Sequence, residues 1–151
     1  IEAPLQETID VLNRMFRVCD VLGTRKIRIF AFYPPQHGDP DAYLDEAVAR
    51  LSRLTDMAAR EGCTLLLEND EDLVADTIAR THAILARIDS PHLRFAWDNA
   101  NFVRSGVSRP TTNGWDVLHD YVGTVHIKDA REDRSQRAAG EGDAEVAALL
   151  Q

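Results

Sequence analysis

The chain has 151 residues, 44% of them hydrophobic and 28% charged, with a formal net charge of −8. That is enough for one domain with its own core, and the composition excludes a disordered or low-complexity protein. The acidic balance argues against nucleic acid as the main partner, because nonspecific affinity for phosphates rests on Lys and Arg.

No apolar run approaches the roughly 18 residues of a membrane span, and no signal-peptide pattern is present. Cys19 and Cys63 form no CxxC pair and read as buried, reduced thiols of a cytoplasmic protein. The opening "IEAPLQETID" has neither an initiator Met nor a strand before its first helix, and the chain stops within an amphipathic pattern at "AEVAALLQ". It reads as a piece of a longer chain.

Between Leu5 and Leu22 apolar residues recur at three and four, which predicts a helix that Gly23 ends. "KIRIFAF" (26–32) predicts a strand and "YPPQHGDPD" a loop, in which His37 reads as an exposed residue. Asp41 is placed to cap a helix whose buried stripe runs from Leu44 to Ala58. "TLLLEND" (64–70) is the continuous apolar run of a strand covered on both faces.

A helix is expected over Asp72–Ile88, and a third strand within "HLRFAWDNANF" (92–102), ending near Asp98. A polar loop with Gly106, Pro110 and Gly114 leads to a short helix near Trp115–Tyr121, then to a fourth strand, "VGTVHIK" (122–128). The charged run "REDRSQR" (131–137) reads as a solvated, mobile loop able to act as a lid, and a last helical pattern starts at Asp143. His82 and His119 fall on helices as surface or boundary residues. Strands alternate with helices and hairpin signals are missing, which predicts an α/β fold of βα units around a parallel sheet, a single domain over 1–151.

Three of these strands end on a residue able to bind a metal: Glu68, Asp98 and His126, spaced by about one strand–helix unit. In a parallel barrel or sheet such ends lie on one side, so the three side chains can converge. Two carboxylates and an imidazole suit Mn²⁺, Co²⁺ or Zn²⁺ and tolerate Mg²⁺. Each residue alone has a plainer reading: His126 as a partly buried, satisfied histidine, Asp98 as a turn or cap residue. Glu68 is harder to dismiss, since a carboxylate after "TLLL" is costly to bury unpaired.

"LLLEN", "WDNANF" and "VHIKDAR…GEGD" resemble the strand-end motifs of the xylose-isomerase-like barrel superfamily, in particular its sugar phosphate isomerase/epimerase and inosose-dehydratase-type members. The resemblance implies a (β/α)8 barrel, here incomplete, with about four strands matching the fourth to seventh. It implies one divalent metal ion, with Glu68, Asp98 and His126 as the first three ligands and the fourth, a Glu, on an eighth strand not seen here. Glu141 in "GEGD" precedes a helix and reads as a loop residue near the mouth. Asn101 becomes a candidate substrate contact, and Lys128 and Arg131 become candidates to hold substrate hydroxyls or a carboxylate.

The implied reaction is isomerisation, epimerisation or dehydration of a keto-sugar or keto-inositol through an enediolate, with Glu68 as one acid/base. An apurinic-site endonuclease of the same superfamily would show further histidines where Asn101 and "DAREDR" stand. A metal-free binding module on the same scaffold is the rival of a different class. An open half barrel would leave strand edges for a partner subunit to cover, so a homo-oligomer is possible; neither nucleic acid nor membrane is expected as a partner.

Overall fold

The structure, a computed structural model, describes residues 1, 3–36 and 38–151; His37 lies outside the described residues. Helix α1 (Leu5–Leu22) buries Ile9, Leu12, Phe16 and Cys19, the three-and-four stripe of the sequence. Gly23 ends it at φ 67°, its N–H donating to the Cys19 carbonyl, a backbone conformation that side chains resist. Strand β1 (Lys26–Phe30) follows.

Asp39, not Asp41, makes the next cap. Its side chain accepts from Asp41 N at 3.0 Å and opens a short 3₁₀ turn over Pro40–Tyr43. Helix α2 (Leu44–Arg60) and strand β2 (Thr64–Glu68) then follow as the pattern predicts.

Helix α3 spans Ile78–Ile88 and starts later than expected. Asp72 has φ 64°, which breaks any helix there, and Thr77 is the N-cap. The apolar residues Leu73, Val74 and Ala75 are fully buried in the intervening loop, anchored by Val74 N donating to Phe32 O at 3.0 Å. Their hydrophobicity is spent on the core without helical geometry.

Strand β3 (Leu93–Asp98) runs straight into helix α4 (Asn99–Arg104), an element the sequence reading missed. The Asp98 carboxylate accepts from Asn101 N at 3.0 Å and caps it. Helix α5 covers Pro110–Leu118, because Pro110 takes the first-turn position where its missing N–H costs nothing. A 3₁₀ turn over His119–Tyr121 leads to strand β4 (Val122–His126).

Among the described residues β1–β4 form one parallel sheet in chain order. Its register sets Phe30 beside Glu68, Glu68 beside Ala96 and Asp98 beside His126. The helices cover one face, against Leu65, Leu67, Phe95 and Trp97, all without solvent exposure. The barrel is not closed: β1 pairs with β2 and β4 with β3, and each leaves its other side open among the described residues.

Trp97 and Phe102 meet edge to face at 5.7 Å between centroids and hold α4 to the back of the sheet, an aromatic contact worth about 1 kcal/mol beyond the area it buries. Asn99 ties the same corner together: it accepts from Trp97 Nε1 and donates to Thr111 Oγ1 and to the Ala144 carbonyl.

The run 131–137 is exposed, as expected, but it folds into an antiparallel ribbon of β5 (Asp129–Ala130) and β6 (Gln136–Arg137). Arg134 pairs with Glu71 across to the β2 loop. The last helix, α6, is short (Val146–Leu149) and begins after Asp143, whose N–H is taken by Ala130 O. His82 is half-buried against Tyr121 and His119 is exposed, both as expected. Cys19 and Cys63 are buried free thiols. No helix among the described residues is long and apolar enough to cross a membrane.

Asp129 organises this last third. Buried itself, it accepts backbone N–H groups from Ala130, Gly140, Gly142 and Ala144. A Cβ on Gly142 would stand 2.3 Å from its Oδ1, so only glycine fits. Burial pushes the carboxyl pKa up, but the four N–H donors outweigh it and hold the group below the usual carboxylate value.

A depressed folded pKa means the contribution is complete above the unfolded value, about 3.9, and is lost as pH falls through the folded one. Amide exchange at Gly140, Gly142 and Ala144 should therefore lose protection in acid before the β1–β4 sheet does. Asp129→Ala, which orphans buried N–H donors, should cost about 2–4 kcal/mol in urea unfolding at neutral pH.

Candidate functional site

Glu68, Asp98 and His126 end β2, β3 and β4 on the same side of the sheet, and they do meet. One donor atom from each lies within 4.8 Å of the others. His126 Nδ1 is 2.9 Å from Glu68 Oε1 and 3.6 Å from Asp98 Oδ2. Both carboxylates are buried and the imidazole is partly open to a cavity of about 620 Å³ above it.

The parallel register alone leaves Glu68 two residues short of the Asp98 level. An Asn69 side chain fills that offset, donating to Asp98 O at 2.9 Å and accepting from Asp98 N at 3.0 Å. It continues the strand ladder where the backbone of β2 has left it.

Two like charges this close and this dry need counter-charge. Lys128 Nζ lies 2.5 Å from Asp98 Oδ2 and 3.2 Å from Glu68 Oε1, and Arg28 Nη1 lies 2.8 Å from Glu68 Oε2. Burial would raise the Glu68 pKa, but hydrogen bonds from Lys128 and His126 outweigh it and hold it below its ordinary value. At Asp98 burial wins and the pKa is raised, despite Lys128. Asp70, also on the cavity wall, is raised by burial and then by the Glu68 charge. Lys128 is raised: burial opposes its charge, but the two carboxylates more than compensate.

Asp98 serves two purposes with two oxygens. Oδ1 caps α4, so the plain reading of this residue holds; Oδ2 is buried and receives no hydrogen bond of regular geometry, with Lys128 Nζ and His126 Nδ1 as its charged neighbours. A buried carboxylate oxygen facing a second carboxylate and an imidazole nitrogen is a fitting donor set for one borderline divalent cation, which would take the place Lys128 holds beside them.

Asn101 is buried, and its amide donates to Asn69 O at 2.9 Å and more weakly to Glu68 Oε1 at 3.4 Å, so it positions Glu68 as well as bordering the cavity. Lys128 reaches the site. Arg131 does not line the cavity; it is exposed in the turn of the ribbon, its N–H donating to Ser135 O. Glu141 is exposed in a turn, its N–H donating to Ala138 O, and is not part of the cluster.

Arg28 and Asn69 were missed by the sequence reading. Alternation in "KIRIF" places Arg28 on the same face as Phe30, the neighbour of Glu68, and Asn69 stands next to the candidate ligand in "LLLEN".

A family model described as a xylose isomerase-like TIM barrel matches residues 2–151, and the chain belongs to that family. A 3-dehydroshikimate dehydratase of Bacillus anthracis is 23% identical over 128 residues, which is 85% of this chain and 45% of the relative. The crystal structure of the probable 3-DHS dehydratase AsbF from Bacillus anthracis superposes with a TM-score of 0.83 at 20% identity, covering all of this chain and 61% of that one. That of the IOLI protein with a bound zinc atom gives 0.80 at 19%, covering 96% and 55%. The chain thus spans roughly half the length of the relatives it matches.

Asn69→Leu removes both bonds to the Asp98 backbone while keeping the volume close. It should lower stability by about 2–4 kcal/mol through the buried N–H and C=O it strands, read as a fall in the urea midpoint at unchanged slope.

Proposed function

We propose that this member of the xylose isomerase-like family supplies the metal-binding strands of an enzyme that removes a proton from the carbon beside a carbonyl of a small polyhydroxy ketone, of the keto-sugar or keto-inositol kind. The observation that supports it is the convergence of Glu68, Asp98 and His126 beneath an open cavity at the ends of three parallel strands. These residues would hold one divalent ion, Mn²⁺, Mg²⁺, Co²⁺ or Zn²⁺. When bound, the ion supplies Lewis-acid stabilisation of the oxyanion that develops as the proton leaves.

The protein's own groups do the rest. Glu68 Oε1 faces the other ligands, while Oε2 points to Arg28 and is the oxygen available to take the proton. Arg28 donates to that oxygen at 2.8 Å and orients it. Asn101 fixes the other oxygen, and Lys128 donates to oxygens that gain charge on the substrate. Returning the proton to the neighbouring carbon gives an isomerase, returning it to the opposite face gives an epimerase, and expelling a β-hydroxide as water gives a dehydratase. The dehydratase relative supports the last. An opposing acid/base and a fourth ligand belong, on this reading, to the other strands of a complete barrel.

Calorimetric titration with Mn²⁺ tests the proposal. About one equivalent should bind, raising stability by about 2.7 kcal/mol at a hundredfold excess over Kd, and Glu68→Ala should abolish it with the far-ultraviolet circular dichroism unchanged. Binding retained in Glu68→Ala would overturn the ligand set. No binding by the parent chain would favour a metal-free module in which Lys128 and Arg28 are the permanent partners of the carboxylates.

A further inference from the structure

The ribbon that follows β4 is fixed firmly at its root and loosely at its tip. At the root Asp129 gathers four backbone N–H groups, and Asp143 N donates to Ala130 O at 2.8 Å. The tip, Arg131 to Arg137, contains no apolar side chain, and all of its residues but Ser135 are exposed. No hydrophobic burial holds it down.

The hydrogen bonds of the tip run mostly within itself. Arg131 N donates to Ser135 O, Arg134 N to Arg131 O, and Ser135 to the Asp133 carboxylate. Glu132 N reaches back to Asp143 Oδ2, close to the root. Among the described residues one side-chain bond leaves the tip for the loop after β2, from Arg134 to Glu71. Glu71, its side chain 19% exposed, also accepts from Arg104 of α4, so one carboxylate joins three segments.

The space beside that bond is a hollow of about 370 Å³, whose walls include the acids Asp72, Asp76 and Glu132. The backbone is left-handed on both sides of the bond: Asp72, next to Glu71, has φ 64° and Arg134 itself has φ 68°. Such conformations cost a residue other than glycine free energy and persist where neighbouring contacts hold them. On its other side the ribbon lends Gln136 and Arg137 to the wall of a second cavity, of about 380 Å³. This cavity shares Asn101, Arg104, Ile127 and Lys128 with the one over Glu68, and Ala100, 4% exposed, also lines it.

We propose that the ribbon is a strap that closes this second cavity, with Glu71 as its clasp. Releasing Arg134 frees the tip to swing while Asp129 keeps the root in place. The sheet need not move, because Glu71 keeps its hold on Arg104 and α4. An ion pair to a largely exposed guanidinium is a weak tie, so the strap belongs to the low-stability segments that border binding sites. Through Lys128 and Asn101 the cavity it covers adjoins the strand-end cluster. The consequence for the reaction rests on the proposed function; the opening itself does not, and it is measured without metal.

The test is the rate at which an aromatic disulfide reagent modifies a thiol introduced as Ala100→Cys, with the parent chain, whose own cysteines are buried, as background. With the strap closed, modification should be slow. Arg134→Gln breaks the clasp and leaves Glu71 with Arg104, and it should raise the rate at least about tenfold, the scale of one charge-assisted hydrogen bond. High salt should act in the same direction on the parent clasp. Glu71→Gln added to Arg134→Gln should give little further increase, because both remove the same bond. Without any introduced thiol, the Glu132 amide should exchange faster in Arg134→Gln while β1–β4 keep their protection.

An unchanged modification rate in Arg134→Gln would overturn the strap, even with faster exchange at Glu132, because the ribbon would then move without covering the cavity. A thiol at position 100 that reacts as fast as a free one before the clasp is broken would overturn closure itself. Should Ala100→Cys fail to fold, Glu132 exchange decides alone, and equal exchange in the parent and in Arg134→Gln would overturn the clasp.

Discussion

Two carboxylates of like charge, Glu68 and Asp98, are buried side by side at the ends of adjacent parallel strands, and the rest of the site follows from how that repulsion is met. Each must have positive charge or donors within reach, or give up its ionisation. Three residues supply them: Arg28 from β1, His126 at the end of β4 and Lys128 just beyond it. The opposite directions in which the two pKa values move record an uneven division. Glu68 has most of the donors, and Asp98 is left with an oxygen that only an ion pair touches. The negative charge of two strand ends is thus assembled in one place, with Lys128 lying against both carboxylates.

The parallel sheet makes the assembly possible. Consecutive βα units deliver every strand end to the same side, so residues about thirty positions apart become neighbours without any local signal between them. That is why the triad could be read from the sequence: a ligand-type residue closes each of three apolar runs, and the fold class does the rest. The four strands, the stripes of α1 and α2, and the glycine stop of α1 were legible for the same reason, since periodicity and punctuation are local.

What escaped reading depended on contacts that periodicity does not encode. Helix α4 looks like a polar turn in "DNAN", and it forms because Asp98 caps it while Trp97 and Phe102 clamp it from behind. Leu73, Val74 and Ala75 fall within the helix expected over Asp72–Ile88, yet the left-handed backbone at Asp72 leaves them in a buried loop. The charged 131–137 segment gave no sign that one buried aspartate, Asp129, gathers the loop after it and brings Arg137 to a cavity wall. Arg131, nearer in sequence to His126, points elsewhere. Distance along the chain was a poor guide once the ribbon folded back.

The split duty of Asp98 has an evolutionary corollary. One of its oxygens serves the folding of α4 and the other faces the site, so two selective pressures fall on a single side chain. A descendant that lost its chemistry would still be held to Asp, or to an Asn that caps equally well, by the demand for a stable helix. Retention of an acid here is therefore weak testimony to activity. His126 and Lys128 cap no helix; their obligation is to the two buried carboxylates they pair with, not to α4.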